Sequence, residues 1–212
     1  SGLVEVNAAL GAPHEFILYF DRPPPDDLPC RRGGRLLPAW HTRVLRTRVE
    51  RLWTLRALPR AAREDALDVL HVQYNAPRLR RPAIVTTVHD VSFRLFPEWF
   101  SLKDRLLLDW GLRGTLRVAR AVLAVSECTA RDLQRIYGVP RERLAVTPNA
   151  APVGFARADE REVRQVLAEL QVPEPYALFV GVLQPRKNVI GIVRAFLRAR
   201  RELAIAQFKL ER

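Results

Sequence analysis

From Ala83 onward, short apolar runs alternate with stretches whose apolar residues recur every three or four positions. Ala83-Ile84-Val85-Thr86-Thr87-Val88 reads as a strand, rich in β-branched residues and too short for a helix. Ser101 then predicts a helix start, with Asp104 three residues on as a capping-box-like partner, and the periodicity runs to about Ala119. Ala121 to Val125 is a second, buried strand. Ser126 caps a second helix, which ends at Tyr137 with Gly138 at the position after its last turn and Pro140 beyond. Arg143-Leu144-Ala145-Val146-Thr147 is the next strand, stopped by Pro148-Asn149.

Upstream the same reading gives more elements. Leu3 to Leu10 predicts the back half of a helix ended by Gly11, and Glu15 to Phe20 a strand stopped by Asp21-Arg22-Pro23-Pro24-Pro25. Between His41 and Leu58, Val44, Leu45, Val49, Leu52, Trp53 and Leu55 fall mostly three or four apart, which predicts a helix over 41–58. Val69 to Val72 is a short strand. Downstream, a linker-like Ala-Ala-Pro-Val-Gly-Phe stretch follows Asn149. A helix over about Asp159 to Leu170, a strand Tyr176 to Val180 closed by Gly181, and a last helix from about Asn188 then follow.

Strand, helix, strand, helix, strand with short connections predicts an α/β fold, a parallel sheet wound with helices. The expected division is a first domain over 1–150 and, over 151–212, a linker and the start of a second, incomplete α/β domain. In such sheets ligands bind outside the carboxyl ends of the strands. That rule singles out His89-Asp90, Ser126-Glu127 and Pro148-Asn149.

Composition narrows the picture slightly. At 212 residues, 48% hydrophobic and 27% charged, the chain has the make-up of an ordinary globular protein. Its longest apolar stretches are strand-sized and too short to cross a bilayer, and no secretory signal is visible at the first residues. Two cysteines far apart, Cys30 and Cys128, fit free thiols in a reducing compartment. The four histidines are isolated from one another and from the cysteines, so no metal site and no cofactor is expected. The net charge of +12 favours anionic partners, although arginine richness is also a common compositional bias. A nucleic-acid-binding module is not expected, because the arginines are scattered and no helix-turn-helix or RNA-binding signature appears.

Three stretches together resemble family 4 of the retaining glycosyltransferases. The first is Val88-His89-Asp90-Val91-Ser92-Phe93 followed by Phe96-Pro97-Glu98-Trp99-Phe100. The second runs from Val125-Ser126-Glu127-Cys128-Thr129 through Tyr137-Gly138-Val139-Pro140 to Val146-Thr147-Pro148-Asn149. The third is Phe179-Val180-Gly181-Val182-Leu183-Gln184-Pro185-Arg186-Lys187-Asn188. The resemblance covers roughly residues 65–200 and implies a GT-B fold of two facing Rossmann-like domains. By that likeness, 1–150 is the acceptor-side domain lacking its first strand, and 151–212 the start of the donor-binding one.

The resemblance further implies transfer of a hexose, with retention, from a nucleoside diphosphate sugar to a glycan or lipid-linked acceptor. Arg186 and Lys187 would contact the donor diphosphate, and Gly181 would let the backbone approach it; the plain alternative is a solvated charge pair in a loop. His89 would face the donor sugar, against the alternative of a histidine that satisfies backbone groups at a strand end. Asp90 would hold that imidazole or cap the following loop. Ser126 is a helix cap that can also touch ligand, and Asn149 makes a turn near the interdomain hinge. No protein nucleophile is implied, the leaving phosphate assisting deprotonation of the acceptor.

Departures from the family pattern are specific. The first strand with its glycine-rich loop is expected before residue 1, and a pair of donor-side glutamates beyond residue 212. The usual Pro-Asn-Gly-Val-Asp appears as Pro148-Asn149-Ala150-Ala151-Pro152. The isolated polypeptide is therefore expected to transfer weakly or not at all, the alternative being a truncated, non-catalytic relative with at most residual nucleotide binding. A cytoplasmic location at the inner face of the membrane fits a lipid-linked acceptor. The helix 101–119 either lies against anionic lipid, with Leu102, Leu106, Leu107, Trp110, Leu112 and Leu116 beside Arg105, Arg113, Arg117 and Arg120, or packs on its own sheet.

Overall fold

The computed structural model describes residues 14–28, 30–32, 35–49, 52–151, 155–172 and 176–210; of residues 202–210 it describes the backbone only. The helix expected over Leu3 to Leu10 lies outside the described residues. Two compact units divide the chain, Ser1–Gly154 and Phe155–Arg212.

The first unit is built on a parallel sheet of four strands, β5 (Val69–Gln73), β6 (Ala83–Val88), β7 (Ala119–Ala124) and β8 (Leu144–Val146), in sequential order. Parallel neighbours need crossovers. Helix α3 (Leu102–Val118) connects β6 to β7 and α4 (Glu127–Tyr137) connects β7 to β8, as the alternating pattern predicts. Helix α1 (Leu58–Glu64) precedes β5, and α2 (Ser92–Leu95) is a single turn after β6.

Local chemistry sets the helix ends. The Ser101 side chain accepts from the Asp104 amide at 3.1 Å, and the Ser126 side chain from the Thr129 amide at 3.1 Å. Gly138 closes α4 at φ 64°, its amide donating to Gln134 and that of Val139 to Leu133, the paired bonds of a left-handed helix end. Strand alternation then places Ile84, Val88, Val122, Ala124 and Leu144 in a core completed by Leu112, Leu116, Ala130 and Leu133 from the helices. Ile84, Val88, Val122 and Leu133 are at most 1% exposed, so each large-to-small change there would cost about 2–5 kcal/mol.

Polar contacts join the two helices. Asp109 on α3 accepts from Tyr137 on α4 at 2.8 Å and from Arg113 at 2.9 Å. Burial works against the Asp109 charge, but these donors outweigh it and hold the carboxyl below its ordinary value. Burial and the same carboxylate push the Tyr137 hydroxyl upward.

Two expectations fail. Residues 41–58 are not one helix: β4 (Trp40–Val44) pairs in parallel with β1 (Phe16–Phe20), and helical backbone starts only at Leu52. Stacking of Phe16 on Trp40 at 4.4 Å fixes this register, and an ion pair of Arg43 with Asp65 at 2.6 Å ties β4 to the end of α1. Tertiary pairing here overrides a helical spacing, and β-branched Thr42 and Val44 favour it. Two further short strands, β2 (Arg31–Arg32) and β3 (Arg35–Leu36), form an antiparallel ladder in the preceding loop.

The second failure lies in the second unit. Tyr176 to Val180 is not a strand, since its backbone has no ladder partner among the described residues. This unit holds α5 (Glu160–Glu169), capped by Asp159, and α6 (Val189–Leu210), with a single turn Pro185–Lys187 immediately before α6. None of its described side chains is buried.

Candidate functional site

At the carboxyl end of β6 the chain emerges at His89 and turns at once into α2. The turn is made by Asp90, whose Oδ1 accepts from the Ser92 amide at 2.9 Å and from the Ser92 hydroxyl at 2.6 Å. Of its two expected roles, capping the loop is the one this geometry displays; its carboxylate is engaged with Ser92.

Two side chains, Tyr74 and Thr129, hold the His89-Asp90 segment. The ring of Tyr74, just beyond β5, stacks on the imidazole with centroids 5.8 Å apart. The Tyr74 hydroxyl accepts from the Asp90 amide at 3.1 Å. The Thr129 hydroxyl on α4 donates to the His89 carbonyl at 3.0 Å. With that proton committed, the Ser126 hydroxyl must donate to Thr129 Oγ1, 3.0 Å away, while its oxygen caps the helix. A hydrogen-bonded chain thus runs from Ser126 through Thr129 to the backbone of His89. Both neighbouring strand ends contribute to the seat of one half-buried imidazole.

Sequence inspection missed Tyr74 and Thr129. The strand-end rule that singled out His89 applies equally to β5 and leads to Tyr74. Thr129 carries the plainer signal of standing three residues after a cap. Asn149, beyond β8, is exposed.

The second unit presents its own candidates. Arg186 and Lys187 occupy the turn Pro185–Lys187, both exposed, with Arg186 Nε donating to Gln184 Oε1 at 2.8 Å. Asn188 follows at φ 47° and caps α6, its side chain accepting from the Gly191 amide at 3.3 Å. A Cβ at Gly191 would sit 2.5 Å from that side chain, so glycine leaves room for the cap. Two cations therefore precede a helix N-terminus, whose free amides and dipole also favour anions. Gly181 stands earlier in the same loop, exposed except where the Phe179 ring approaches to 3.2 Å of a Cβ position.

The profile of Glycosyltransferase Family 4 matches residues 3–154. The chain belongs to glycosyltransferase family 4. It is also 30% identical over 174 residues to O-antigen chain mannosyltransferase B of Escherichia coli, an alignment covering 80% of this chain and 45% of that protein. The chain thus spans about half the length of the curated relative it matches. For a family 4 chain, the α/β architecture with a wound parallel sheet agrees with the Rossmann-like domain that the sequence predicts. Among the described residues, no helix is long and apolar enough to cross a membrane.

Proposed function

We propose that this chain supplies the acceptor-side domain, and the beginning of the donor-binding domain, of an enzyme that moves a hexose from a nucleoside diphosphate sugar to a glycan or lipid-linked acceptor with retention. The observation that carries this reading is the basic turn Arg186-Lys187 set directly before the N-terminus of α6, in a family 4 chain. A diphosphate gains charge as the glycosidic bond breaks, and guanidinium, ammonium and helix amides stabilise that charge. Gly181 would admit the backbone to the same ligand. His89, held by Tyr74 and Thr129, is the group proposed to hydrogen-bond the sugar; Ser126 and Asn149 are proposed as further contacts at the strand ends. Asp90 acts through the loop it caps. Because the relative is named a mannosyltransferase, mannosyl donors are the first to assay. The location proposed with this reading is the cytoplasm, at the inner face of the membrane, where a lipid-linked acceptor would be within reach.

Calorimetric titration of the 212-residue chain with UDP and GDP tests the donor site. Binding by at least one of them, abolished in Arg186→Ala/Lys187→Ala, is expected; equal binding by that variant would refute the assignment. The unburied second unit also favours an alternative, residual nucleotide binding without turnover. A radiolabel assay separates the two: transfer undetectable beside intact binding supports the alternative for this isolated chain, and normal turnover excludes it.

A further inference from the structure

A second concave surface lies at the other end of the sheet, roughly 20 Å from His89 along β6. The amino ends of β5, β6 and β7, with the ends of α1 and α3, enclose a cleft of about 730 Å³. That volume falls within the roughly 300–1,000 Å³ of small-molecule sites. Its floor is apolar: Leu67, Leu79 and Val118 pack half-buried against the core, and Ile84 is 1% exposed. Local bonds fix the walls. The Ala83 amide donates to the Asp68 carbonyl at 3.0 Å, and the Ala66 and Leu67 amides close α1 on the Arg63 and Ala62 carbonyls. Ligands of wound parallel sheets normally gather at the carboxyl ends of the strands, so the chemistry proposed at His89 does not use this cleft.

Four arginines from three separate segments line it: Arg63 of α1, Arg80 and Arg81 of the connection before β6, and Arg120 of β7. Against them stands one carboxylate, Asp68. Among the described residues, these four guanidiniums form no ion pair and no hydrogen bond. The neighbouring acids are engaged elsewhere, Asp65 with Arg43 and Glu64 with Arg60, each at 2.6 Å. Carbonyls at the end of α3 are covered too, because the Arg143 guanidinium donates to those of Leu116 and Ala119. The negative end of that helix is thereby offset. The cleft keeps a strong excess of positive charge. Guanidinium forks match phosphate oxygens, and a triphosphate offers them more non-bridging oxygens than a diphosphate does. Bare phosphate would leave the apolar floor in water, whereas a nucleoside covers it with a flat base and brings ribose hydroxyls that donate to a carboxylate.

We propose that this cleft is a binding site for a nucleoside triphosphate. Its phosphates meet Arg63, Arg80, Arg81 and Arg120, its base covers Leu67, Leu79 and Val118, and its ribose hydroxyls donate to Asp68. The site belongs wholly to the first unit and shares no residue with the basic turn at Arg186 and Lys187. Binding there needs neither the donor contacts nor the transfer proposed above. Failure of one is therefore distinguishable from failure of the other.

Titration of ATP, without divalent metal, into the 212-residue chain carrying Arg186→Ala/Lys187→Ala isolates the cleft from the basic turn. Saturable binding is expected, weakened by salt. Adding Arg80→Gln/Arg120→Gln should weaken it by at least about tenfold, with an unchanged circular dichroism spectrum. UDP and GDP, with fewer phosphate oxygens for the same forks, should bind this chain at least about tenfold more weakly than ATP. Inorganic tripolyphosphate, which covers neither the floor nor Asp68, should bind at least about fivefold more weakly. NMR of the parent chain adds a readout that needs no substitution: ATP should shift the amides of Asp68, Ala83 and Arg120. No saturable ATP binding, or an Arg80→Gln/Arg120→Gln variant that binds like its parent, would overturn the proposal. So would tripolyphosphate, UDP or GDP binding as tightly as ATP, or amides of Asp68, Ala83 and Arg120 that do not move.

Discussion

The two candidate sites, one in each unit, are built in opposite ways. Around His89, the strand end rests on a core whose members are almost unexposed, and side chains from β5's end and α4 fix its position. Around Arg186 and Lys187 only short-range contacts operate: a Gln184 hydrogen bond, an Asn188 cap, and a glycine that leaves the cap room. Val180, Leu178 and Leu183 in the same loop are 84%, 78% and 77% exposed. Local capping is enough to define a helix start. Apolar burial is needed to hold it against conformational entropy.

The largest expected effect is in hydrogen exchange. Amides of β6, β7 and α4 should exchange only through global opening of the first unit, and those of α5 and α6 orders of magnitude faster. Comparable protection in both units would break the contrast. Substitution extends it: Leu133→Ala, in the core, should cost about 3 kcal/mol. Leu197→Ala, 49% exposed on α6, should stay within about 0.5 kcal/mol. Denaturant midpoints check both.

A smaller effect isolates the seat of His89. Thr129→Val removes the donor to the His89 carbonyl and the acceptor for Ser126, and should cost about 1–2 kcal/mol. The Tyr74–His89 ring contact should loosen with it, read as a shift of the His89 imidazole resonances in NMR. Unchanged resonances would show that the hydroxyl does not position the ring.

Smallest is a pH effect at the α3–α4 joint. Asp109 has a lowered folded value, so its stabilising contribution is present above the ordinary aspartate pKa of about 3.9 and is lost as pH falls through the folded value. Asp109→Asn should lower stability at neutral pH and flatten the acid limb. An unaltered acid limb in that variant would contradict the assignment.

The same contrast explains what the sequence discloses. The stretch from Ala83 to Asn149 is legible because caps, Gly138 and β-branched strands act over a few residues and agree with the tertiary structure. Residues 41–58 mislead because Val44, Leu45 and Val49 fit a helix, whereas Phe16 and Trp40 recruit Trp40–Val44 into a strand pair. Tyr176 to Val180 misleads because strand propensity creates no partner strand. His89 and the basic turn are found as motifs. Tyr74 and Thr129 reach their partners across 16 and 40 residues, distances over which a single sequence gives no pairing signal.

The central claim is that the exposed basic turn before α6 recognises a diphosphate in a glycosyltransferase family 4 chain. Its most direct measurement is titration of the parent chain and of Arg186→Ala/Lys187→Ala with nucleoside diphosphates and with the matching monophosphates. The account predicts that the parent binds a diphosphate more tightly than its monophosphate and that the variant loses this preference. Binding that ignores the second phosphate, or a preference that survives in the variant, would contradict it.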